Sequence, residues 1–267
     1  MELIPRLRAD AREAVVRFIR STVEGSGRKG VVLGLSGGLD SAVCAYLGFE
    51  ALGPESVHAL ILPFGDADKR EVKGAVGVAK GLKIQYDILD IKPVCDAFFE
   101  TLSGADRSTA GNVRARVRMV ALYQKANSES LLVMGTGNKS EILTGYFTKF
   151  GDGGADLMPI GDLYKTEVRE LAAMLGIPKR ILAKTPTAGL WPGQTDEGEL
   201  GMPYDRLDMV LLGIEYLLPD DEIARSASVP LKEVARIKGL VDGGAHKRRL
   251  GLIPKLAHRT VGIDWRE

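Results

Sequence analysis

The segment Gly34-Leu-Ser-Gly-Gly-Leu-Asp-Ser41 lies between the apolar run Val31-Val-Leu33 and the segment Ala42-Val-Cys-Ala-Tyr-Leu47. This order predicts a strand that ends in a glycine-rich turn and is followed by a helix. A helix N-terminus presents free backbone N–H groups and the positive end of the helix dipole, and both bind phosphate. We therefore predict a nucleotide phosphate cradle at residues 34–41. The alternative is a tight turn in which Ser and Asp only cap the helix.

Nucleotide-binding loops of the G-x-x-x-x-G-K-[ST] type carry a lysine that reaches the outer phosphates. Residues 34–41 contain no lysine. Transfer of the γ-phosphate is therefore not the natural interpretation. We expect another phosphate of the nucleotide to be attacked.

Four short aliphatic or β-branched runs predict the strands of a sheet: Val31–Leu35, Val57–Leu62, Ile84–Leu89 and Leu131–Met134. Stretches with helical spacing separate them, and this βαβ alternation indicates a parallel sheet. Right-handed crossovers then place helices on both faces. We predict an α/β fold with a Rossmann-like parallel sheet, formed by a single domain over residues 1–267 with a C-terminal helical appendage.

Helical spacing also occurs before and after the predicted sheet. Residues 11–23 predict an amphipathic first helix whose apolar face includes Ala14, Val15, Phe18 and Ile19. Later segments with the same spacing lie at residues 168–175, 207–214 and 231–237.

Composition excludes several classes of protein. The 36 lysine and arginine residues nearly balance the 35 aspartate and glutamate residues, so no overall basic field exists for nonspecific binding to nucleic acid or an anionic membrane. Cys44 and Cys95 have apolar neighbours, which favours buried thiols in a reducing compartment over a disulfide or a metal site. No apolar run approaches the length of a membrane span. We expect a cytoplasmic protein with no nucleic-acid or membrane partner.

Two acidic residues follow the first and fourth predicted strands. Asp40 lies in the cradle, and Glu141 ends the segment Gly135-Thr-Gly-Asn-Lys-Ser-Glu141. The loops after parallel strands open on the same edge of a sheet, so the two carboxylates should meet beside bound phosphate. Mg²⁺ prefers such oxygen ligands, and we predict a Mg²⁺ site at this pair. The alternatives are a helix cap for Asp40 and a solvated first-turn glutamate for Glu141.

The helix predicted after the third strand carries an apolar stripe that includes Met119 and Tyr123. Counting back by three, four and seven residues places Arg116 on this stripe, whereas Arg114 and Arg118 fall on another face. A guanidinium among apolar neighbours needs an anionic or planar partner, which makes Arg116 a candidate for substrate binding. The alternative is an arginine whose stem extends out of the core.

Six segments match one known pattern in order. They are Ser36-Gly-Gly-Leu-Asp-Ser41, Gly111-Asn-Val-Arg-Ala-Arg116, Gly135-Thr-Gly-Asn-Lys-Ser-Glu141, Gly145-Tyr-Phe-Thr-Lys-Phe-Gly-Asp152, Leu163-Tyr-Lys-Thr-Glu-Val168 and Gln194-Thr-Asp-Glu197. Together they make the chain similar to the ammonia-dependent NAD synthetases. The cradle alone resembles the PP-loop of the wider ATP pyrophosphatase superfamily, which includes GMP synthetases and tRNA-thiolating enzymes. The resemblance implies a fold of the adenine nucleotide α-hydrolase type.

The resemblance also implies roles for individual residues. Asp40, Glu141 and Lys165 would be catalytic, with Asp40 and Glu141 on Mg²⁺. Phe147 stands where the family has an aromatic residue beside the nicotinyl ring, with core packing as the alternative. The implied ATP contacts are Gly34, Leu35, Ser36, Gly37, Gly38, Leu39, Asp40, Ser41, Thr136, Lys165 and Thr187. The implied contacts to deamido-NAD are Arg116, Lys149, Asp156, His246 and Lys247.

The implied reaction uses ATP, deamido-NAD and ammonia. The nicotinate carboxylate attacks the α-phosphorus of ATP and expels pyrophosphate, and ammonia then displaces AMP from the acyl-adenylate to give NAD. We expect no glutaminase domain in this chain, so free ammonia or a separate partner would supply the nitrogen. The resemblance further implies a homodimer, with the first helix and residues 207–218 as candidate interface. Residues 102–111 and 185–203, the latter including Trp191, are candidate lids over the reactive adenylate.

The sequence alone is also compatible with other functions. One is a different PP-loop adenylating enzyme, either a GMP synthetase subunit or a tRNA-thiolating enzyme, although near-neutral charge and cysteines with apolar neighbours speak against the latter. Another is a noncatalytic sensor of adenine nucleotides, which has no need of paired Mg²⁺ carboxylates. A DNA-reading helix-turn-helix over residues 222–238 fits poorly because Ser-Val-Pro separates its helices.

Overall fold

The computed structural model describes residues 3–65, 69–102, 104–191, 193–261 and 264. Within these ranges, one sheet contains four parallel strands in the order β3-β2-β1-β4. Each strand lies inside one of the apolar runs that predicted it, so the parallel α/β fold is confirmed. The strands are β1 (Val31–Gly34), β2 (Val57–Ile61), β3 (Gln85–Ile88) and β4 (Leu132–Val133).

Helices cover both faces of the sheet. They are α1 (Ala11–Ser26), α2 (Leu39–Leu52), α3 (Lys69–Leu82), α4 (Lys92–Thr101), α5 (Arg107–Glu129), α6 (Lys139–Thr144), α7 (Lys165–Met174), α8 (Lys179–Leu182), α9 (Asp196–Leu200), α10 (Tyr204–Glu215), α11 (Asp220–Ala227) and α12 (Leu231–Gly243). On one face, α1, α2, α3 and α7 pack around Val31 and Leu33 of β1. On the other face, α4 and α5 pack around Val32. Successive strand residues point to opposite faces, so β1 is buried on both sides.

The register of the strands aligns their carboxyl ends. Gly34 of β1 pairs with Leu60 of β2, and Val32 pairs with Val133 of β4. The chain leaves β1 into the cradle and leaves β4 into the segment that begins at Gly135. Both segments therefore open on the same edge, as predicted.

The last helices form a second apolar cluster beside the sheet. Leu207 and Leu211 of α10 pack with Ile223 of α11 and with Val234 and Ile237 of α12. These helices occupy the segments in which helical spacing predicted them. None of the helices within the described ranges combines the length and apolarity needed to cross a membrane.

The first helix begins at Ala11 as predicted, but its buried face differs from the predicted one. Val16, Ile19 and Val23 are buried, whereas Phe18 is 44% exposed. Steps of three and four residues connect the buried positions into the stripe that packs on α2. Phe18 lies beside this stripe, so it is not part of the face of α1 that packs within the chain.

Asp208 of α10 joins three helices beneath the edge where the strands end. Its carboxylate accepts hydrogen bonds from the Ser140 hydroxyl of α6 (2.6 Å) and from the backbone N–H and hydroxyl of Thr166 of α7 (2.9 Å each). The side chain is fully buried, and this burial raises its pKa. Removing the carboxylate would leave buried donors without acceptors.

We expect Asp208→Ala to lower the free energy of unfolding by about 3 kcal/mol, measured by urea denaturation. Asp205→Ala, on the same helix, is the control because the Asp205 side chain is 75% exposed in its pair with Arg169. Its effect should stay within about 0.5 kcal/mol. Equal destabilisation by the two substitutions would show that the Asp208 hydrogen bonds are not the cause.

Candidate active site

A cavity of about 460 Å³ opens at the carboxyl ends of the strands. The cradle, the segment after β4 and residues 184–191 line it, together with part of α5. This is the edge at which open α/β sheets bind their ligands. The position of the cavity therefore follows directly from the topology of the sheet.

The cradle is held by its own serines. The Gly38 N–H donates to Ser36 Oγ (3.2 Å), and Ser41 Oγ donates to the Gly38 carbonyl (3.1 Å). Gly37 has φ +73°, in the left-handed region, and a Cβ there would lie 2.7 Å from the carbonyl oxygen of Glu71. The N-cap of α2 is Gly38, and no side chain forms a capping hydrogen bond there. The alternative in which Ser and Asp only cap this helix is therefore not supported, and the helix N-terminus is available to bind an anion.

Lys165, the first residue of α7, lies beside the cradle. Its side chain is only 2% exposed, and its ammonium forms an ion pair with Asp40. Burial lowers the pKa of Lys165, but the carboxylates of Asp40 and Glu141 raise it more, so the net shift is upward. The lysine is therefore a fixed positive charge in the cavity. The other carboxylate oxygen of Asp40, Oδ1, is buried without a hydrogen-bond partner.

Glu141 is fixed at the start of α6 by a capping box. The Asn138 side chain accepts from the Glu141 N–H (3.0 Å), and Glu141 Oε2 accepts from the Asn138 N–H (3.1 Å). Burial, followed by the nearby charge of Asp40, raises the pKa of Glu141 to about 8. The shift reflects the cost of burying one carboxylate beside another. Among the residues that the structure describes, no group of three or more His, Cys, Asp or Glu side chains is arranged to hold a metal ion.

The cavity brings together most of the residues implied for ATP. Phe147 and Trp191 also line it. Gly37 packs against α3 behind the cradle. The implied site residues in the lining are Gly34, Leu35, Ser36, Gly38, Leu39, Asp40, Ser41, Thr136, Glu141, Lys165, Thr187 and Lys247. Those outside the lining are Gly37, Arg116, Lys149, Asp156 and His246.

The predicted orientation of Arg116 is wrong. Arg116 is exposed, and its Nε donates to the Lys149 carbonyl (3.3 Å). Ala115 and Val117 are buried on different sides of α5, and Arg116, between them in sequence, points outward. Of the other two arginines on this part of α5, Arg118 lines the cavity, whereas Arg114 lies beside it and donates to the Leu190 carbonyl. The apolar stripe that was counted back from Met119 and Tyr123 is therefore not a buried face at Arg116.

Residues implied for deamido-NAD form a connected strip that leaves the cavity. Lys247 Nζ donates to the carbonyls of Gly145 (2.8 Å) and Phe147 (2.9 Å) at the cavity wall. Lys149 Nζ donates to the His246 carbonyl (2.8 Å). Since Arg116 donates to Lys149, the strip continues outward along the surface.

Asp156 lies apart from this strip. It accepts from the Tyr123 hydroxyl (3.0 Å) and from the Val133 N–H of β4 (2.7 Å), so each carboxylate oxygen has a partner within the chain. Burial and the Asp156 charge raise the pKa of Tyr123 to about 12, so its hydroxyl stays a donor. Asp156 thus ties α5 to the end of the sheet.

Several residues in or beside the cavity were missed by sequence reasoning. Beside the cavity, the Arg114 guanidinium stacks on the Phe64 ring at 3.8 Å and donates to the carbonyl of Leu190, which lines it. Lys184 contacts the cradle, and Asp196 is buried with its pKa raised by burial. Two signals were available: Asp196 lies in the quoted segment Gln194-Thr-Asp-Glu197, and Lys184 immediately precedes the predicted 185–203 lid.

The two candidate lid segments contain more structure than the sequence suggested. Residues 196–200 form α9, and α5 begins at Arg107 within the other segment. The Arg107 guanidinium lies 4.6 Å from the centroid of the Trp191 ring, which joins the two segments. Ser103 and Pro192 lie outside the described residues. Closure on substrate binding stays a prediction.

Comparison with known proteins agrees with this arrangement. The family described as NAD synthase matches residues 11–251. The curated NH(3)-dependent NAD(+) synthetase of Pyrococcus horikoshii is 47% identical over 252 residues, which cover 94% of this chain and 96% of that protein. A solved NH3-dependent NAD synthetase of Campylobacter jejuni superposes with a TM-score of 0.79 at 32% identity, covering 92% of this chain and 98% of the other.

A solved structure that is named for a different product, NMN, has a similar fold. The NMN synthetase of Francisella tularensis superposes with a TM-score of 0.81 at 36% identity, covering 92% of this chain and 98% of that chain. The family match spans most of the sequence and includes the cradle, the Asp40–Glu141 pair and Lys165. The chain therefore belongs to the NAD synthase family.

Proposed function

We propose that this chain amidates deamido-NAD to NAD with ammonia and ATP, releasing AMP and pyrophosphate. The observation that carries the proposal is the convergence of the cradle, Lys165 and the Asp40–Glu141 pair on one cavity. This arrangement offers backbone donors for phosphates, a buried cation and two carboxylates within one site. The names of the P. horikoshii and C. jejuni relatives support ammonia as the nitrogen donor.

In the proposed mechanism, a nicotinate carboxylate oxygen forms a bond to the α-phosphorus of ATP while the bond to pyrophosphate breaks. The nitrogen lone pair of ammonia then attacks the acyl carbon, AMP leaves with the bonding electron pair, and the nitrogen loses one proton. A carboxylate and a polyphosphate repel each other, so the protein must position them and offset their charge. The cradle N–H groups hold the phosphates, and Lys165 stabilises the charge that develops on the leaving pyrophosphate. Thr136 and Thr187 line the cavity as further hydroxyl donors.

The residues present suit a magnesium ion. Asp40 Oδ1 is a buried oxygen without a hydrogen-bond partner, and Glu141 lines the same cavity as a second carboxylate. We propose that Asp40 and Glu141 hold Mg²⁺, which usually takes few protein carboxylates and completes its shell with water and substrate phosphate. When bound, the ion would neutralise phosphate charge.

The strip formed by Lys247, His246, Lys149 and Arg116 is the proposed contact surface for the dinucleotide, because it leads from the cavity wall to the surface and carries positive charge. Asp156 is proposed as a further contact through its exposed edge. We assign Phe147 to the nicotinyl ring because it lines the cavity beside Lys247.

We also propose that the chain forms a homodimer in the cytoplasm. Phe18 of α1 is 44% exposed, and Tyr216 and Leu217 after α10 are 55% and 90% exposed. Exposed apolar residues in both candidate segments suit a subunit interface. The buried free thiols of Cys44 and Cys95 suit a reducing compartment. Multi-angle light scattering at micromolar concentration tests the dimer.

A second candidate is amidation of nicotinate mononucleotide to NMN. The TM-score of 0.81 with the F. tularensis NMN synthetase favours it. In addition, Arg116, Lys149, Asp156 and His246 lie outside the cavity, so a mononucleotide could be held by the cavity without them. Deamido-NAD stays the first proposal because the curated relatives are named for NAD.

The test supplies ATP, Mg²⁺ and ammonium with one acceptor at a time: deamido-NAD, nicotinate mononucleotide, xanthosine monophosphate or none. AMP and pyrophosphate are measured. We expect the highest kcat/KM with deamido-NAD. Preference for nicotinate mononucleotide would favour the second candidate, and turnover only with xanthosine monophosphate would overturn both.

A further inference from the structure

Lys184 links two parts of the cavity that carry the implied ATP contacts. Its ammonium lies 3.3 Å from the Gly37 carbonyl and 2.9 Å from Glu71 Oε2. It immediately precedes the segment 185–191, which lines the cavity and contains Thr187. We infer that Lys184 is a positioning residue for ATP, which holds the peptide between Gly37 and Gly38 in its binding orientation and fixes the 185–191 segment over the cradle. This inference rests on the proposed use of the cradle for ATP.

The first part of the argument concerns one peptide plane. Gly37 and Gly38 lack side chains, and Gly37 adopts φ +73°, so the peptide between them can reorient at little steric cost. In a planar trans peptide, the C=O and the N–H point in opposite directions. Lys184 holds the Gly37 carbonyl, and the Gly38 N–H on the opposite side of the peptide points to Ser36 Oγ (3.2 Å), which lines the cavity. A bound phosphate could take the place of Ser36 Oγ as the acceptor of this N–H.

The second part concerns the 185–191 segment. At its far end, Arg114 of α5 donates to the Leu190 carbonyl, and Trp191 packs against Gly111 and under the Arg107 guanidinium. At its near end, Lys184 provides the contact to the cradle. The segment is thus held at both ends across the cavity. The Pro186 carbonyl also accepts from the Asp196 N–H (3.1 Å), so loss of the near contact should loosen the end that carries Thr187 without releasing it.

The third part concerns Glu71, which orients Lys184. Glu71 lies on α3, and its backbone carbonyl is the atom that a side chain at Gly37 would meet. The two side chains are 26% and 42% exposed, and ion pairs this exposed contribute little to global stability. The pair therefore matters for local orientation more than for folding. Removing it should affect nucleotide binding and leave the melting temperature almost unchanged.

The first experiment measures binding without turnover. Isothermal titration calorimetry with α,β-methylene-ATP compares the wild type with Lys184→Met, which keeps the length of the stem and removes the ammonium. We expect the Kd to rise about tenfold and Tm to change by less than about 2 °C. Lys184→Arg should keep the Kd within about threefold, because a guanidinium also donates to a carbonyl and a carboxylate. Lys179→Met is the matched control, since Lys179 is an exposed lysine on neighbouring α8.

Two readouts separate positioning from a general structural role. Hydrogen–deuterium exchange of unliganded Lys184→Met should increase in peptides covering residues 34–41 and 185–191 and stay unchanged in β2. In steady-state kinetics, KM for ATP should rise about tenfold, whereas KM for ammonium should not change. Glu71→Gln should show the same pattern with a smaller rise, because Lys184 keeps its contact to Gly37.

A wild-type Kd for α,β-methylene-ATP in Lys184→Met would overturn the inference. So would a weakened Kd with unchanged exchange in both peptides, because the lysine would then act on the nucleotide directly. If Lys184→Met is unstable, the same measurements on Glu71→Gln decide, and unchanged binding and exchange there would count against the inference. Binding is measured without acceptor or ammonia, so a protein that binds ATP but makes no NAD would still test Lys184.

Discussion

Asp40→Asn should reduce kcat by about a thousandfold at saturating ATP, a loss of about 4 kcal/mol of transition-state stabilisation. The substitution keeps the shape of the side chain but removes the charge that pairs with buried Lys165 and the oxygen that is free to bind Mg²⁺. Glu141→Gln should reduce kcat by about a hundredfold. Both variants should require more Mg²⁺ for half-maximal rate.

Asp205→Asn is the matched control, because Asp205 is a surface carboxylate whose side chain is 75% exposed. It should keep kcat and the Mg²⁺ dependence of the wild type. Normal rates in both Asp40→Asn and Glu141→Gln would show that these two carboxylates do not hold a Mg²⁺ needed for the reaction. They would also favour a nucleotide sensor, which needs neither carboxylate.

Lys165→Met should reduce kcat by about a thousandfold while the protein stays folded. The Lys165 side chain is 2% exposed, and a buried fixed charge acts strongly on a developing anion. Methionine fills the space of the lysine stem without a positive charge. The measurement is single-turnover formation of AMP at saturating substrates, with circular dichroism to verify the fold.

Lys232→Met, an exposed position on α12, is the control for the loss of one lysine. It should leave the single-turnover rate unchanged. If Lys165→Met keeps more than a tenth of the wild-type rate, the lysine does not stabilise the leaving group. It would then serve mainly as the counterion that keeps Asp40 in place.

The features that sequence predicted well are those fixed by local pattern. Alternating apolar runs and helical stretches are sufficient for a parallel sheet, and the glycine-rich turn at residues 34–41 defines the cradle. The topology rule then brought Asp40 and Glu141 to one edge, where both line the same cavity. None of these inferences needs a contact between distant side chains.

The features that were wrong or missed depend on tertiary packing. Helix α5 is buried on different sides at different points along its length, so a single apolar stripe does not describe it. Arg116 was therefore assigned inward, whereas Arg118 lines the cavity. Phe18 was assigned to the apolar face of α1 together with Ile19, because hydrophobicity alone does not identify which side of α1 meets α2. Lys184 was overlooked because its partners Gly37 and Glu71 are far away in sequence.

The central claim is that the carboxylate of the acceptor attacks the α-phosphorus of ATP. It is tested by running the reaction with deamido-NAD labelled with ¹⁸O in both oxygens of the nicotinate carboxylate and analysing the products by mass spectrometry. The account predicts one ¹⁸O in AMP, one in the amide of NAD and none in pyrophosphate. Unlabelled AMP, or label in orthophosphate accompanied by ADP, would contradict it.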